Sequence, residues 1–359
     1  MATIKDVSRL ANVSISTVSR VINKSANVAP EKEKAVLKAM RELNFQPNSF
    51  AQALVNKRSN CIGVLIGDLC GGPFFAQMMR GIENIILPEN KYVIVMSGNH
   101  RHDREKYSIE ALLLRRCDAI IVHSKAMSDE ELTEINNSTD IPMVFVNRLI
   151  PGLEKQCVWV DIASGIETAV DYLIENGHRH IAYIGSEDTG FPDAKERLGG
   201  YQEALNKAGI VYDSALVSTA FPDENGGCCA VESLLGRKVD FTALVAYNDA
   251  MAVGCLSALA EHNIAVPRQV SAIGFDNNPI SSFVKPKLTT VRYPIEEVGE
   301  RAARLALAMI HAGDEESDEP KEIDLDKLMF TPDLIVRASV APLNQSKDKA
   351  PKSSKKSPV

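Results

Sequence analysis

Apolar residues near the start of the chain recur at helical spacing in three short stretches. Residues 4–11 and 15–23 each place their apolar side chains on one face, which predicts two short helices. Asn12 tolerates the left-handed backbone of a tight turn between them, and Ser14 is a favourable N-cap for the second helix. A third helix is predicted over residues 30–43, with proline at the favoured first position. The pattern therefore predicts a small all-α head.

From Cys61 to about Val340 the pattern changes, and short apolar runs alternate with stretches of helical periodicity. Such alternation predicts parallel sheets covered by helices. The predicted strands are residues 61–68, 92–98, 119–124, 143–147, 181–186, 243–248 and 271–276. The predicted helices cover residues 74–87, 103–116, 128–137, 164–176, 195–208, 227–235 and 249–263. Because the elements form two consecutive series, the sequence predicts two doubly wound α/β lobes with a ligand cleft at the C-terminal ends of their strands.

Polar side chains follow three of these strands at the point where each strand ends. Amides and carboxylates can bond the hydroxyls of a neutral polyol, a guanidinium such as that of Arg197 can contact two of its oxygens, and aromatic rings can pack on its apolar face. Each polar residue could instead cap the helix after its strand, and for Asp249 the two interpretations have equal weight. The strand-end residues are Asn147, Arg148, Asn248, Asp249, Asp276 and Asn277, and the aromatic candidates are Phe74, Phe75 and Phe221.

The outward face of the second predicted helix carries hydroxyl, amide and guanidinium groups. Hydroxyls and amides can bond phosphates and base edges, an arginine can bond guanine through two hydrogen bonds, and an isoleucine can contact a thymine methyl. This face therefore predicts binding of double-stranded DNA in the major groove, and a three-helix cap with a solvated polar face is the less favoured alternative. The residues concerned are Ile15, Ser16, Thr17, Ser19, Arg20 and Asn23.

Charge is distributed unevenly along the chain. The 359 residues include 40 Lys and Arg against 47 Asp and Glu, a net charge of −7. Residues 1–58 nevertheless carry ten basic and four acidic side chains, a charge of +6, and residues 342–359 carry five lysines and one aspartate, a charge of +4. The segment between them has a charge of −17. A basic head and tail flanking an acidic body are expected when only the ends meet a polyanion.

Residues 47–58 are predicted to link the head to the body. Pro47 fixes a turn, and residues 49–56 could form two turns of helix. A helix that short is marginal in water, so it is expected to form only when a partner holds it. Leu54 near its end is then a candidate wedge between base steps of a minor groove. The alternative is a plain exposed linker with an incidental leucine.

The head resembles the helix-turn-helix domain of the LacI/GalR family of bacterial transcription regulators. The similarity lies in the segment TIKDVSRLANVSISTVSRVINKSANV, and residues 51–54 are similar to the hinge helix of that family. The resemblance implies that the second helix is the recognition helix. It implies base contacts from Ile15, Ser16 and Arg20, and backbone contacts from Thr17 and Ser19. The full predicted DNA-contacting set is Thr3, Ser14, Ile15, Ser16, Thr17, Ser19, Arg20, Asn23, Asn48, Ala51 and Leu54.

The resemblance also covers the body, about 340 residues in all, and is closest to the galactose repressor and isorepressor branch. It lies in segments such as VHSKAMSDEEL, VNRLIPG, FPDENGG, AYNDAMAVG and LTTVRYPI. Two departures affect ligand identity more than pocket location: the stretch between Asp68 and Phe74 is one residue longer than usual, and Asn277 stands where a second aspartate is frequent. The resemblance implies a periplasmic-binding-protein-like body with an effector pocket lined by Phe74, Phe75, Asn147, Arg148, Arg197, Phe221, Asn248 and Asp276.

Other functional classes are disfavoured by the sequence. It contains no Gly-x-Gly-x-x-Gly, Walker or Gly-x-Ser-x-Gly motif, so neither an enzyme nor a cofactor is expected. The pairs His100/His102 and His178/His180 lack a nearby set of Cys or carboxylate ligands, and surface-loop histidines are predicted rather than a metal site. Seven cysteines without a paired spacing indicate free thiols of a reduced cytosol. No signal peptide is predicted, and no stretch approaches the ~20 apolar residues of a membrane span.

Together these features predict a cytoplasmic, homodimeric repressor whose affinity for a pseudo-palindromic operator is set by a small sugar, D-galactose being the candidate. A regulator that responds to another sugar or to a nucleoside is the alternative in the same class. A sugar-binding transport protein and a carbohydrate enzyme are alternatives from other classes. The predicted domains are residues 1–46 (helix-turn-helix), 47–58 (hinge helix), 59–341 (two-lobed effector-binding and dimerisation domain) and 342–359 (disordered basic tail).

Overall fold

The first domain is a bundle of three short helices. The computed structural model describes residues 2–22, 28–46, 59–69, 72–312 and 327–343. The helices of the first two ranges are α1 (Ile4–Ala11), α2 (Ile15–Ile22) and α3 (Pro30–Glu42). Their shared core consists of Val7, Val18, Val36 and Ala39, which are almost completely buried. The predicted all-α head is confirmed.

The turn between α1 and α2 has the backbone that the sequence predicts. Asn12 follows α1 in the left-handed region with a φ of 51°, a conformation that asparagine tolerates better than most residues. The Ser14 hydroxyl accepts a hydrogen bond from the Thr17 backbone N–H at 3.1 Å and so satisfies one of the free donors at the start of α2. The turn thus fixes where α2 leaves α1.

Lobe 1 is a six-stranded sheet with helices on both faces. Its strands are β1 (Cys61–Ile66), β2 (Tyr92–Ser97), β3 (Ala119–Val122), β4 (Met143–Val146), β5 (Cys157–Val160) and β11 (Met329–Phe330). They pair in the order β11-β5-β4-β3-β1-β2, and every pair is parallel. One face packs on α4 (Pro73–Ile86) and α11 (Ile295–Ala312), and the other on α5 (His102–Leu114) and α6 (Asp129–Asn137). Because both faces are covered, β3 and β4 are buried throughout.

Lobe 2 repeats this architecture. Its strands are β6 (Ile181–Ser186), β7 (Val217–Ala220), β8 (Ala243–Ala246), β9 (Ser271–Asp276), β10 (Thr289–Arg292) and β12 (Asp333–Ile335). Their order is β12-β10-β9-β8-β6-β7, and all pairs are parallel except β10 with β12. The helices are α7 (Ile162–Glu175), α8 (Pro192–Lys207), α9 (Glu224–Gly236) and α10 (Asp249–Glu261).

The chain passes between the lobes three times: between β5 and α7, between β10 and α11, and between β11 and β12. As a result, α11 from the end of the chain completes lobe 1 by packing on α4. The two helices touch backbone to backbone. A Cβ on Gly81 would lie 2.0 Å from the Glu296 carbonyl oxygen, and one on Gly299 would lie 2.3 Å from the Met78 carbonyl oxygen. Only glycine permits so close an approach.

The two-lobed α/β fold is confirmed, and all seven predicted strands and all seven predicted helices of the body are present. The sequence analysis did not predict β5, β7, β10, β11, β12 or α11. The helix predicted over residues 227–235 begins earlier, at Glu224, because the Asp223 carboxylate accepts a hydrogen bond from the Gly226 N–H at 2.7 Å and caps it. Among the residues that the structure describes, no helix is long and apolar enough to cross a membrane.

The prediction of surface-loop histidines is wrong for His178. Its side chain is 2% exposed, with the Thr242 hydroxyl 3.0 Å from Nδ1 and the Ala341 carbonyl oxygen 3.1 Å from Nε2. The ring therefore ties the segment after β12 to lobe 2. His180 is an exposed loop residue as predicted, whereas His102 is exposed but begins helix α5. Within the described ranges, no group of three or more His, Cys, Asp and Glu side chains is arranged to hold a metal ion.

Candidate DNA-binding face and interlobe site

The outward side of α2 exposes most of the groups that the sequence assigns to DNA. Ser16 and Arg20 are exposed, and Ile15 is 44% exposed although it is apolar. The Ser14 hydroxyl lies 2.8 Å from the hydroxyls of both Ser16 and Thr17, so three hydroxyl groups form a connected network at the start of the helix. Hydroxyl donors beside an exposed aliphatic side chain and a guanidinium match what phosphates and base edges require in a major groove.

Two other predicted residues lie on this domain. Thr3 precedes α1, and its hydroxyl donates to Oδ2 of Asp6 at 2.7 Å. The side-chain and backbone hydrogen bonds from Thr3 lower the pKa of the Asp6 carboxyl, which favours a negative charge at the positive end of the helix. Ser19 is half-buried. The remaining predicted DNA contacts lie outside the described residues: Asn23, Asn48, Ala51 and Leu54.

The C-terminal ends of the strands carry a second group of polar residues. In lobe 1, His123 follows β3 and Asn147 follows β4 directly. In lobe 2, Tyr247 follows β8 and Asp276 ends β9. Because the strands of each sheet run parallel, these residues lie at one edge of their lobe, where open α/β sheets bind ligands.

Two contacts show that the two edges face each other. His100, in the loop after β2, has its ring centroid 6.1 Å from that of Phe191 in lobe 2. Lys125, in the loop after β3, places Nζ 2.7 Å from Oδ2 of Asp193 in the first turn of α8. The space between the strand ends is therefore an interlobe site lined from both sides. His100 is half-buried and faces this site, so the prediction of a surface-loop histidine is also wrong at this position.

Aromatic rings line the lobe 1 side of the interlobe site. The centroids of Phe74 and Phe75 are 5.2 Å apart, and those of Phe75 and His123 are 5.0 Å apart. Tyr293, at the crossing after β10, continues the cluster with its centroid 5.4 Å from Phe74. All three pairs meet edge to face, an arrangement that stabilises aromatic clusters. The cluster gives the site a rigid apolar wall.

Arg197 lies on the lobe 2 side and is only 4% exposed. Its guanidinium carbon is 4.0 Å from the ring centroid of Phe275 and 4.5 Å from that of Tyr247, so the group is stacked between two aromatic faces. One nitrogen donates to the Tyr247 carbonyl at 2.6 Å, and another is 3.8 Å from Oδ1 of Asp276. Burial raises the pKa of Asp276 to about 7, although the positive charge of Arg197 opposes that shift. The guanidinium is thus rigidly held beside a carboxyl that titrates near neutral pH.

Buried polar atoms without a hydrogen-bond partner are concentrated at this site. Such atoms are rare in folded proteins, and each calls for an explanation. In the described part of the chain seven buried side-chain atoms have no partner, and six belong to residues that line the interlobe site, four in segments that follow strands and two on α8. They include both donors and acceptors. The six are His100 Nδ1, His123 Nδ1, Asn147 Oδ1, Asp193 Oδ1, Arg197 Nε and Tyr293 Oη.

The two histidines of the site are neutral at physiological pH. Burial is the main cause that lowers the pKa of His100 to about 4 and that of His123 to about 3, and the charge of Lys125 lowers both further. A neutral imidazole offers one donor and one acceptor. The site therefore presents mixed neutral hydrogen-bonding groups, and each of its two cations lies beside a carboxyl group, Lys125 beside Asp193 and Arg197 beside Asp276.

Five of the eight predicted effector residues come together at this site, namely Phe74, Phe75, Asn147, Arg197 and Asp276. The other three use their groups elsewhere. Arg148 donates to Asp129 Oδ1 and to the Met127 carbonyl, both at 2.7 Å. Asn248 accepts from the Met251 N–H at 2.8 Å and donates to the Pro222 carbonyl at 3.0 Å, as a helix cap. Phe221 is 57% exposed in the loop after β7. Their assignment to the pocket stays a prediction.

Asp249 serves the interior of lobe 2. It is completely buried, and its two carboxyl oxygens accept hydrogen bonds from the Thr290 hydroxyl and the Asn278 N–H, each at 2.6 Å. These bonds tie the start of α10 to β10 and to the loop after β9. Of the two interpretations left open by the sequence, neither a ligand contact nor the N-cap describes this residue, because Asn248 caps the helix instead.

The Asp249 carboxyl makes stability depend on pH. Burial is the main cause that raises its pKa to about 8, whereas in the unfolded chain it ionises near pH ~3.9. Between those values the unfolded state binds fewer protons than the folded state, so stability falls as pH rises. Asp249→Asn should therefore reduce the fall in Tm between about pH 6.5 and about pH 8, measured by calorimetry at constant ionic strength. Part of the slope remains through Asp276, whose pKa is raised to about 7.

Glu110→Gln is the matched control for this experiment, because Glu110 is an exposed carboxylate on α5. Its Tm should follow the pH dependence of the parent protein. Equal slopes for Asp249→Asn and the parent would contradict a protonated buried carboxyl at position 249.

Sequence reasoning missed several residues of the interlobe site. The signal that identified Asn147 and Asp276, a polar residue directly after a buried strand, applies equally to His123 and Tyr247. Tyr293 was missed because β10, which precedes it, was not predicted. The contact between Lys125 and Asp193 joins residues 68 positions apart, so only the folded chain shows it.

Comparison with known proteins matches both parts of the chain. Residues 3–48 match the model of bacterial regulatory proteins of the lacI family, and residues 170–340 match a periplasmic binding protein-like domain. The HTH-type transcriptional regulator GalR of Salmonella typhimurium is 41% identical over 342 residues, which cover 95% of this chain and 96% of the relative.

Solved structures agree with the fold. The transcriptional regulator CelR, solved as a complex with cellobiose, is 29% identical with a TM-score of 0.67 and covers 94% of this chain and 100% of its own. The lac repressor dimer bound to operator and the anti-inducer ONPF is 24% identical with a TM-score of 0.82, over 95% of this chain and 99% of that one. At that identity the second likeness bears on the fold alone.

Proposed function

The chain belongs to the LacI family of DNA-binding bacterial transcriptional regulators, and from this premise we propose that it is a repressor whose affinity for its operator is controlled by a small sugar bound between the lobes. The relatives named above are regulators rather than enzymes. The DNA-binding part of the proposal is supported by the exposed hydroxyls, the exposed Ile15 and Arg20 on α2, together with the +6 charge of residues 1–58.

One observation carries the sugar assignment: six unpartnered buried polar atoms belong to residues that line the interlobe site from both lobes. A sugar has several hydroxyls, each able to donate and to accept, and it can satisfy such atoms on both sides at once. The edge-to-face aromatic cluster around Phe75 supplies the apolar wall that a pyranose face requires. Because each cation of the site already has a carboxyl group beside it, a neutral ligand fits better than an anion.

D-Galactose is the proposed effector. The supporting evidence is the similarity of the chain to the galactose repressor branch together with the 41% identity to GalR. The alternative is another sugar or a nucleoside, since Asn277 and the lengthened loop before Phe74 depart from the pattern of that branch. A thermal-shift panel of hexoses, pentoses, disaccharides and nucleosides separates these ligands, because only a true ligand raises Tm in a concentration-dependent way.

The three chain crossings between the lobes suggest how a sugar would act on DNA. A ligand that binds both edges favours lobe closure, and closure moves the start of lobe 1, to which the segment of residues 47–58 is joined. In a homodimer, two such segments would meet a pseudo-palindromic operator, and Leu54 is the proposed wedge in its minor groove. Cytoplasmic action is part of the proposal and is consistent with six free cysteines in the described ranges.

Fluorescence anisotropy with a labelled pseudo-palindromic operator, selected in vitro from a random library, tests the proposal. The protein is titrated at fixed salt with and without D-galactose, and L-galactose serves as the matched ligand control. We expect tight binding that D-galactose weakens and L-galactose leaves unchanged. Operator binding that does not respond to any sugar in the panel would overturn the effector assignment, and loss of selectivity over scrambled DNA would overturn the repressor assignment.

A further inference from the structure

Lys125 makes a charged contact across the interlobe site. Its Nζ lies 2.7 Å from Oδ2 of Asp193 and 3.3 Å from the Tyr247 hydroxyl oxygen. The Tyr247 hydroxyl in turn donates to the same Asp193 oxygen. Lys125 belongs to lobe 1, whereas Asp193 and Tyr247 belong to lobe 2. These three residues, named the clasp below, therefore join the lobes through one lysine.

The clasp is largely removed from solvent. The Lys125 side chain is 21% exposed and that of Asp193 is 10% exposed. A charged pair in such surroundings is screened much less by salt than a surface pair. The attraction between the lobes at this point is therefore effective at physiological ionic strength.

The loop that carries Lys125 is held by a buried carboxyl group of lobe 1. Glu105 of α5 is completely buried. It accepts hydrogen bonds from the Ser124 hydroxyl at 2.6 Å, the Ala126 N–H at 3.1 Å and the Lys125 N–H at 3.3 Å. Three donors from consecutive residues fix the loop after β3. Glu105 thus fixes the backbone from which the Lys125 side chain projects, and it does so entirely within lobe 1.

Opening of the lobes would leave neither charged group of the clasp without an interaction partner. Asp193 keeps its hydrogen bond from the Tyr247 hydroxyl and the nearby charge of Arg197, all within lobe 2. Lys125 exchanges its partners for water, which a flexible ammonium group tolerates well. Because neither charge loses all of its partners in either state, the contact can break and re-form, whereas a buried charge left without a partner would prevent this.

We propose that Lys125 is a positioning residue that sets the closure of the two lobes in the sugar-free protein, with Glu105 fixing its direction. The inference deepens the proposed function, since closure is the step through which a sugar would act. Lobe closure itself can be measured without sugar or DNA. Failure of the clasp and failure of the effector assignment are therefore distinguishable.

Förster transfer between dyes on the two lobes measures closure. The dyes are carried by unnatural amino acids at the exposed positions Glu110 of α5 and Arg268 of lobe 2, and labelled chains are diluted with unlabelled full-length chain. Lys125→Met should lengthen and broaden the interlobe distance. Glu105→Gln should shift it in the same direction, and the double variant no further than Lys125→Met alone, because both act through one contact.

Lys207→Met is the matched control. Lys207 is the outer partner of an ion pair within lobe 2, 2.5 Å from Oε2 of Glu167, and its loss should leave the interlobe distance unchanged. Tyr247→Phe removes one hydroxyl from the clasp but keeps the ring over Arg197, so it should give an intermediate shift even if Lys125→Met folds poorly. An interlobe distance equal to that of the parent in both Lys125→Met and Tyr247→Phe would overturn the proposal.

Sugar kinetics give a second readout that a purely structural role would not produce. The lobes must open before a ligand can enter, and closed lobes slow the dissociation of a ligand that has entered. With D-galactose, Lys125→Met should bind about threefold faster and release far faster, so that Kd weakens about tenfold. Unchanged association and dissociation rates would contradict the role of Lys125 in closure. Absence of D-galactose binding in the parent would refute the effector assignment and leave the distance measurement as the test of the clasp.

Discussion

Arg197→Met should abolish the effect of D-galactose on operator binding and weaken galactose affinity about 100-fold or more. The guanidinium is fixed between Tyr247 and Phe275, and its Nε is buried without a partner, so it is prepared to donate to a ligand oxygen. A charge-assisted hydrogen bond contributes about 1.5–3 kcal/mol, and the variant also leaves Asp276 without its cation. Isothermal titration with galactose and operator anisotropy measure the two effects.

Two further variants separate a ligand contact from a packing defect. Arg197→Lys keeps the positive charge near Asp276 but lacks the planar fork, and we expect an intermediate affinity. Lys195→Met removes an exposed lysine from the same helix and should respond to galactose like the parent. Operator affinity without sugar should stay within about twofold of the parent for all three variants. A fully responsive Arg197→Met protein would remove this residue from the proposed pocket.

Arg20→Met should weaken binding of the selected operator by about 1–3 kcal/mol, or roughly 5- to 150-fold, and reduce its preference over scrambled DNA. Arg20 is exposed on the outward face of α2, beside Ser16 and Thr17, where a guanidinium can read a guanine through two hydrogen bonds. Anisotropy titrations with operator and scrambled probes at the same salt concentration measure both quantities.

Arg41→Met is the matched control, because it removes the same unit of charge from the head. Arg41 lies in the last turn of α3 and donates to the carbonyl of Leu37 in its own helix at 3.3 Å. Loss of its charge should weaken both probes slightly and equally, as expected for a sequence-independent electrostatic contribution. If the two variants had the same effect on selectivity, the base contact assigned to Arg20 would be wrong.

The fold could be predicted from the sequence wherever local pattern decides the structure. Continuous apolar runs such as those of β1 and β6 identify buried strands, and Asn12 and Ser14 identify the turn of the head. Strands β7 and β10 were not predicted because their sequences, VSTA and TTVR, are not predominantly apolar: half of the first and three of the four residues of the second are polar. The burial of β10 arises from neighbours far away in the chain.

The assignment of α11 to lobe 1 illustrates the same limit. Its residues follow β10 of lobe 2 directly, and no local sequence pattern indicates that the chain has crossed to the other lobe. The deciding contacts are the backbone approaches at Gly81 and Gly299, which involve a helix more than 200 residues earlier. Tertiary packing of this kind is visible only in the folded chain.

For the interlobe site, sequence reasoning located the edge but not the full set of residues. The strand-end rule found Asn147 and Asp276, and the chemistry expected of a sugar site added Phe74, Phe75 and Arg197. The strand-end rule also assigned Asn248 and Arg148, whose polar groups serve a helix cap and a loop. Which polar group points into a cleft and which one closes a turn depends on side-chain direction, and a residue type does not specify direction.

The three crossings also govern how the protein is made. When the chain has emerged from the ribosome as far as Val160, five of the six strands of lobe 1 are outside it, but α11 is still to come. The sheet face that α11 later covers is then exposed, with residues such as Val64 and Ile121 on it. Chaperones and aggregation compete for that surface until residue 312 emerges. Both lobes therefore complete their folding only near the end of translation. A product truncated before α11 also lacks β11 and β12, so neither lobe can complete its sheet.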